Sequence, residues 1–566
     1  MDKRLLLALV LTVAIVFIIP RLFPTPPPSR TPTRTAATPV DTSRAQTPAV
    51  TTVPVDTPLT PAVVAVADTA GPVSAAPGMA DTVVVSTSMV NYQFSTIGAM
   101  PIGAELREYR DLSPREGTLQ LARSGAPLLS YQLLIERDTI PLDRLPFTVD
   151  SGTLGGAATG TAPLTFRTSV RGVGVTISYT FAADSYLVRV GGELSGGTSA
   201  NRYLILTLPR GLRTGEADSL DDQRNLAYVL KPPRDDARSV SFSSLEDDGV
   251  AQRRVENGPF IWVASKSKYF LVALLTDTAS QPFTGALLTG APKTGRQATT
   301  ADAAVVYPLG ADGRFTFELY TGPQEWRRLV ALGRDLQNAN PYGWAPLRGF
   351  VQPFATIVMR ILLWMHDTVR LSYGWVLVIF GIGVRLILWP FNQKAMRASL
   401  KMQRVQPQLQ EIQRRYRDDP EKQRVEMMKV YKEHNMSPFS MFSGCLPMLL
   451  PMPVLFALFF VFQNTIEFRG VSFLWLSDIS LKDPYYIIPI IMGVSMFALS
   501  WIGLRSAPPN PQAKTMAYVM PVMFTVLFLN FASGLNLYYA VQNIAALPQQ
   551  WMIARERAKA RAPTQR

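Results

Sequence analysis

Residues 373–390 read YGWVLVIFGIGVRLILWP. Apart from Arg385 the run is apolar, and it is near the length a helix needs to cross a hydrocarbon core, roughly 17–25 residues. A charge at the bilayer centre costs roughly 2.5–3.5 kcal/mol on insertion scales. Arg385 therefore either snorkels to the helix end or faces a watery cavity inside a bundle. It lies five residues before Pro390, about 7–8 Å of helix, and the span alone leaves both readings open. No Asp or Glu lies deep in any apolar segment, so no ion-pair partner is in view. An unpaired arginine implies a groove open to water. It counts against a proton relay, which wants carboxylates or histidine.

Four more apolar segments follow: Met441–Phe462, Tyr485–Leu504, Thr515–Asn530 and Leu535–Met552. The N-terminus reads Met1-Asp2-Lys3-Arg4, then an apolar run from Leu5 to Ile19 with no small-x-small cleavage site. We read it as an uncleaved signal anchor. That makes six spans.

The chain has 566 residues and a net charge of +14. Residues 81–335 are close to neutral; 24 basic and 11 acidic residues lie in 336–566. Excess positive charge in the most hydrophobic part is ordinary for loops between membrane helices. Segment 393–436 holds 11 basic and 6 acidic residues, whereas 466–484 holds 2 basic and 3 acidic. The positive-inside rule puts both termini in the cytoplasm and residues 24–371 outside, which in a bacterium is the periplasm. One cysteine, Cys445, excludes a disulfide framework and a cysteine metal cluster. His366 and His434 are too few for a histidine metal site. We expect no catalytic residue, metal or cofactor.

Residues 24–80 are Pro- and Thr-rich and read as an extended linker. In 81–335 the pattern changes to period-two runs: Val173, Val175, Ile177, Tyr179, Phe181; Tyr186, Val188, Val190; Phe315, Phe317, Leu319. These predict a large antiparallel β domain, a sandwich. After Gly322-Pro323 a helix should carry Trp326, Leu329, Leu332 and Leu336 on one face. Next, Phe350, Phe354, Ile357, Ile361 and Met365 recur at helical spacing, which predicts an amphipathic helix lying in the membrane interface. The alternative is packing on the β domain.

Between the second and third spans, Ala398, Met402, Val405, Leu409, Ile412 and Tyr416 make a heptad seam. Asp419-Pro420 reads as a cap and first helical position, and Val425, Met428 and Tyr431 mark the return helix. We expect a basic antiparallel hairpin that docks partners. The third span holds Pro447, Pro451 and Pro453 with Met441, Met448 and Met452. Methionine suits varied apolar partners, although an irregular packed helix explains the same residues. Tyr538, Tyr539, Gln542 and Asn543 put polar atoms on the last span; they line a groove with Arg385 or form ordinary interhelical bonds.

Residues 341–553 resemble the YidC/Oxa/Alb family of membrane protein insertases. The resemblance rests on Pro341-Tyr342-Gly343-Trp344, Arg385 with Pro390, Gln406-Pro407-Gln408-Leu409, Gly444-Cys445-Leu446-Pro447 and Met452-Pro453. Pro484-Tyr485-Tyr486, Met520-Pro521-Val522 and Ser533-Gly534-Leu535-Asn536-Leu537-Tyr538-Tyr539 complete it. The long β domain is similar in position and length to the periplasmic domain of Gram-negative members.

The resemblance implies an α-helical polytopic membrane bundle, with five of the six spans forming the insertase core, plus a periplasmic all-β supersandwich. Expected boundaries are an anchor at 1–23, linker 24–80, β domain with its C-terminal helix 81–340 and interfacial helix 341–371. Then come span two 372–392, hairpin 393–436, span three 437–465, periplasmic loop 466–484 and span four 485–505. A cytoplasmic loop 506–514, span five 515–531, span six 532–553 and a basic tail 554–566 follow. The implied groove is lined by Arg385, Tyr539, Gln542 and Asn543. The implied slide for substrates is Met448, Met452, Pro453, Phe524 and Phe528, on the third and fifth spans. The hairpin positions are Met402, Val405, Leu409, Ile412 and Tyr416.

Implied partners are nascent membrane proteins, the Sec translocon, membrane lipids, and the ribosome and signal-recognition machinery through hairpin and tail; DNA is not among them. The implied location is the bacterial inner membrane. Gly381 and Pro451 stand where some members carry polar residues, which shifts groove lining onto the last span. Two other readings compete. A transporter or channel would use Arg385 as an anion site, but no internal repeat or carboxylate coupling site is present. A sugar enzyme would want a histidine paired with a carboxylate, and 81–335 contains no histidine.

Overall fold

Along Val173–Phe181 every second side chain is buried and those between are half-buried. This strand pairs antiparallel with Leu187–Ser195, which pairs with Arg314–Pro323, so Val190 sits between Tyr179 and Phe317. The three runs marked by alternation are thus neighbours in one nine-stranded sheet. Farther in, Phe270–Thr276 and Trp262–Lys266 are buried at every position, as strands covered on both faces must be. A six-stranded sheet and a four-stranded sheet join the same hydrophobic cluster. Tyr131 and Tyr179, from the six- and nine-stranded sheets, bond hydroxyl to hydroxyl at 2.6 Å inside it. The structure, a computed structural model, describes residues 81–150, 163–196, 201–247, 249–277, 281–293, 295, 297–343, 348–433, 452–506 and 511–561. The expected anchor and linker, Pro447, Met448, Pro451 and the last tail residues lie outside that set.

Gly322 lies near the end of the strand Arg314–Pro323, paired with Leu271, where a Cβ would sit 2.6 Å from the Tyr186 ring. Helix α1 (Trp326–Leu332) follows. It stops at Gly333, where φ is +71°, and Arg334 and Asp335 are left-handed too. Leu336 therefore does not share the α1 face as expected; it opens a separate turn, Leu336–Ala339.

Helix α2 (Arg348–Val369) has two apolar sides. Val351, Ala355, Val358, Met359 and Leu362 are buried, whereas Phe350, Phe354, Ile357 and Ile361 are exposed. Met365, expected on the exposed stripe, is buried; the helical repeat places Trp364 there instead.

Helix α3 (Tyr373–Arg415) is continuous across the expected boundary at 392 and 393. Its 43 residues correspond to about 64 Å at 1.5 Å per residue, twice a bilayer core, so the expected span and the expected first hairpin arm are one helix. Helix α4 (Pro420–Glu433) returns. Its start is capped as expected, with the Lys422 N–H donating to Asp419 Oδ1 at 3.0 Å. Val405, Leu409 and Tyr431 are buried together, with Met427 and Val430 against them. Val425 is 54% exposed, a correction to the expected return face, since Met427, Val430 and Tyr431 take the contact.

Helices α5 (Met452–Asn464), α6 (Ile487–Ser506), α7 (Pro511–Phe528) and α8 (Ser533–Arg561) complete the described chain. Helix α8 extends eight residues past the expected span end at 553. Among the described residues two helical segments are long and apolar enough to cross a membrane, Tyr373–Gln393 and Ile487–Arg505. Pro453–Asn464 and Lys514–Phe528 are shorter apolar helices. Helix α8 has the length but carries Asn536, Gln542, Asn543, Gln549 and Gln550.

Candidate functional site

Arg385 points from α3 toward α8. Its Nη2 donates to Gln549 Oε1 at 2.8 Å, and Gln549 Nε2 donates back to the Trp389 carbonyl at 3.0 Å. Gln549 is 2% exposed. Arg385 Nε is buried and has no partner among the described residues. The cation therefore meets a neutral amide where the sequence showed no carboxylate. Gln549 is not among the expected groove residues, yet it lies seven residues after Gln542. That spacing returns it to the same helix face.

The expected groove residues separate into two faces of α8. Gln542 is buried and donates to Tyr538 Oη at 2.7 Å, and Tyr538 packs on Phe380 of α3 at 5.9 Å. Gly381 belongs here: a Cβ on it would touch Val541 at 3.2 Å, so α3 and α8 approach closely. Tyr538, Gln542 and Gln549 thus face α3 with Arg385. Tyr539 and Asn543 face elsewhere. Asn543 Nδ2 donates to the Met492 carbonyl of α6 at 3.5 Å, and Tyr539 stacks edge-on against Phe528 of α7 at 5.4 Å. The Tyr539 hydroxyl is buried without a partner among the described residues.

Of the expected slide, Pro453 is half-buried at the start of α5 and Phe524 half-buried on α7. Phe528 is buried, held among Phe524, Phe531 and Tyr539. Phe459 of α5 reaches the same cluster through Phe531 at 5.6 Å. The open apolar surface of α7 is instead Val522 and Val526, both more than 60% exposed.

The segment between α5 and α6 is the expected loop 466–484. It is the joint between the helices and the β domain. Ile466 is buried in the β-domain core and Phe468 in the helical core. Arg469 Nε donates to both carboxylate oxygens of Glu216, at 2.8 and 2.9 Å, and Nη2 donates to the carbonyls of Arg110 and Gly215. Burial pushes the Glu216 carboxyl up to about 7, against the pull of Arg469. Glu467 accepts from the Trp326 N–H at 3.2 Å, and its Oε2 is unpartnered among the described residues. Burial pushes this carboxyl up to about 7 as well. Asp483 caps α6, accepting from Ile488 N at 2.8 Å, and Ser533 and Gly534 donate to Leu481 and Ile479 carbonyls. The segment thus ties α5, α6 and α8 to the β domain.

Residues 82–357 match the family described as YidC periplasmic domain, and residues 364–561 match the family described as 60Kd inner membrane protein. The membrane protein insertase YidC of Chlorobium phaeovibrioides is 31% identical over 527 residues, 88% of this chain and 88% of the relative. The chain belongs to the YidC family of membrane protein insertases. The Neisseria gonorrhoeae YidC is 32% identical over 397 residues, covering 68% of this chain and 71% of the relative. A crystal structure described as active YidC insertase with the first transmembrane domain resolved aligns at 19% identity and a TM-score of 0.33, covering 83% of this chain and 92% of that one. YidC proteins are inner-membrane proteins with a periplasmic domain, here the β-rich residues 82–357. They are insertases and not enzymes, which fits a β domain without histidine.

Proposed function

We infer that this chain inserts nascent membrane proteins through a hydrophilic groove between α3 and α8, open to the cytoplasm and to lipid. One observation carries the reading: Arg385, inside an apolar helix, is bonded to a neutral amide and keeps a buried Nε unpartnered among the described residues. Such a cation is poised for an anionic group from outside the chain. A polar segment crossing a bilayer needs its backbone hydrated or hydrogen-bonded. A groove wet to half depth shortens the dry distance left to cross. Arg385 draws acidic segments in, and a potential positive outside pulls them on by about 2.3 kcal/mol per charge per 100 mV. Gln549 orients the guanidinium and Gln542 adds polar lining beside it, whereas Tyr539 and Asn543, turned toward α7 and α6, stand outside this groove.

The proposed topology has six spans, five of them the insertase core, with both termini cytoplasmic and residues 24–371 periplasmic. Trp389, Trp501 and Trp551 fall near the proposed cytoplasmic ends of spans two, four and six, within α3, α6 and α8. Arg505 and Arg555 lie over the last two rings at 3.8 and 3.4 Å. Tryptophan and arginine at that level suit an interface. Apolar segments of the substrate leave along Met448, Met452, Pro453 and Phe524, with buried Phe528 backing them. The basic hairpin and tail receive the ribosome and signal-recognition machinery, and the Sec translocon works beside the groove for larger substrates.

Depleting the chain from cells tests this. Small one- or two-span proteins should then fail to insert; normal insertion would refute the reading. Nascent spans should photocrosslink to Met452 and Phe524. Crosslinks confined to the β domain would indicate a periplasmic chaperone.

A further inference from the structure

Helix α2 carries a second stripe beside its exposed apolar one. Arg348, Gln352, Thr356 and Arg360 step by four residues, and with Asp236 of the β domain they line an open cleft of about 690 Å³. Ile357 lines the same cleft and belongs to the exposed apolar stripe with Phe350, Phe354 and Ile361. The polar cleft and the apolar stripe are therefore continuous. Among the described residues none of Arg348, Arg360 and Asp236 is in an ion pair. Arg348 Nε is buried without a partner there, and the Arg360 guanidinium lies over the Trp326 ring at 5.5 Å. Gln352 is held by Asn338, to which its Nε2 donates at 2.9 Å.

We propose that this cleft binds the headgroups of zwitterionic phospholipids, with a phosphate at each of Arg348 and Arg360, which stand about 18 Å apart along the helix, and an ammonium on Asp236. Guanidinium groups recognise phosphate oxygens through paired N–H donors. A carboxylate in the same cleft favours a headgroup that brings its own cation and disfavours one that brings only negative charge. The acyl chains lie along Phe350, Phe354, Ile357 and Ile361. The bound lipids fix the height of α2, and through it the β domain, against the outer leaflet. The proposal rests on α2 lying in the membrane interface.

The test uses the full chain in proteoliposomes containing a small fraction of lipid with a photoactivatable group at the headgroup, either phosphatidylethanolamine or phosphatidylglycerol. Labelled peptides are mapped by mass spectrometry. The ethanolamine lipid should label the peptide spanning 348–360 at least fivefold more than the glycerol lipid. The R348Q/R360Q double variant should lose that labelling at least fivefold, while labelling around the exposed interfacial Trp501 and Trp551 stays constant and reports that the chain is still folded and embedded. Asp236→Asn should bring the two lipids to equal yield. Equal labelling by both lipids in the parent, or unchanged labelling in the double variant, would overturn the proposal. Soluble phosphorylethanolamine at millimolar concentration should not compete, because it lacks chains for the apolar stripe; full displacement by it would assign the cleft to a soluble phosphoester and overturn the lipid. Labelling at Trp501 and Trp551 with none on α2 in the parent would instead refute the interfacial placement of α2.

Discussion

Arg469 and Arg385 differ in setting: the first has its side chain buried at the joint between β domain and helices, the second is half-buried between α3 and α8. Arg469 is 4% exposed and has a carboxylate and two carbonyls around it. Among the described residues Arg385 has one bond to a neutral amide and an idle Nε. A buried cation without a counter-ion is costly, and several kcal/mol of desolvation must be met by its surroundings. At the joint the protein meets that cost itself, which is how a structural arginine is treated. Between α3 and α8 it leaves the task to water or to a passing acidic segment.

Removing Arg469 should have the largest effect. Arg469→Ala leaves Glu216 buried and unpaired, and should cost about 3–5 kcal/mol, read by chemical unfolding and by protease cleavage within 466–484. Replacing both partners by apolar residues, E216L with R469M, should recover most of that loss. A single variant as stable as the parent would show that the joint is not held by this pair.

Glu467 comes next, and its effect depends on pH. Its folded pKa is raised to about 7 from an ordinary 4.5. Its contribution to stability is therefore full below about pH 4.5 and is lost as pH climbs to about 7. Glu467→Gln should match the parent at pH 4.5 and exceed it at pH 8, by on the order of 1–3 kcal/mol. Thermal midpoints that fall in parallel for both proteins across this range would contradict a buried carboxyl whose Oε2 has no partner among the described residues.

The two smallest effects sharpen the contrast at Arg385. Gln549→Ala removes one bond to a charged group and should cost about 1–2 kcal/mol, with little change at the joint. Arg385→Leu should lie within about 1 kcal/mol of the parent in unfolding, far from the Arg469 result. It should instead slow insertion of substrates with acidic leading segments more than those with neutral ones, in a reconstituted insertion assay. Equal slowing of both would remove the electrostatic role.

Alternation made Val173–Phe181 legible, because one face of that strand is buried and the other is not. Phe270–Thr276 escaped the same test: both its faces are covered, so no period remains to read. The hairpin cap at Asp419-Pro420 was legible because a cap is local chemistry. The fusion of span and hairpin in α3 was not, since the charge change at Lys394 marks an environment and not a helix end. Arg385 stood out as a lone charge in an apolar run. Gln549 did not, because a neutral amide near a span end is unremarkable until its partner is known. Arg469 and Glu216 are separated by more than 250 residues, and no local pattern links them.

The central claim is that Arg385 faces water from the cytoplasmic side. It is tested most directly by a single cysteine at 385, in a chain with Cys445 replaced by serine, probed with a membrane-impermeant thiol reagent in inside-out vesicles. Rapid labelling, comparable to a cysteine at exposed Val425 in the hairpin, is the predicted result. Protection as complete as that of a cysteine at buried Leu377 in the same helix would contradict the groove.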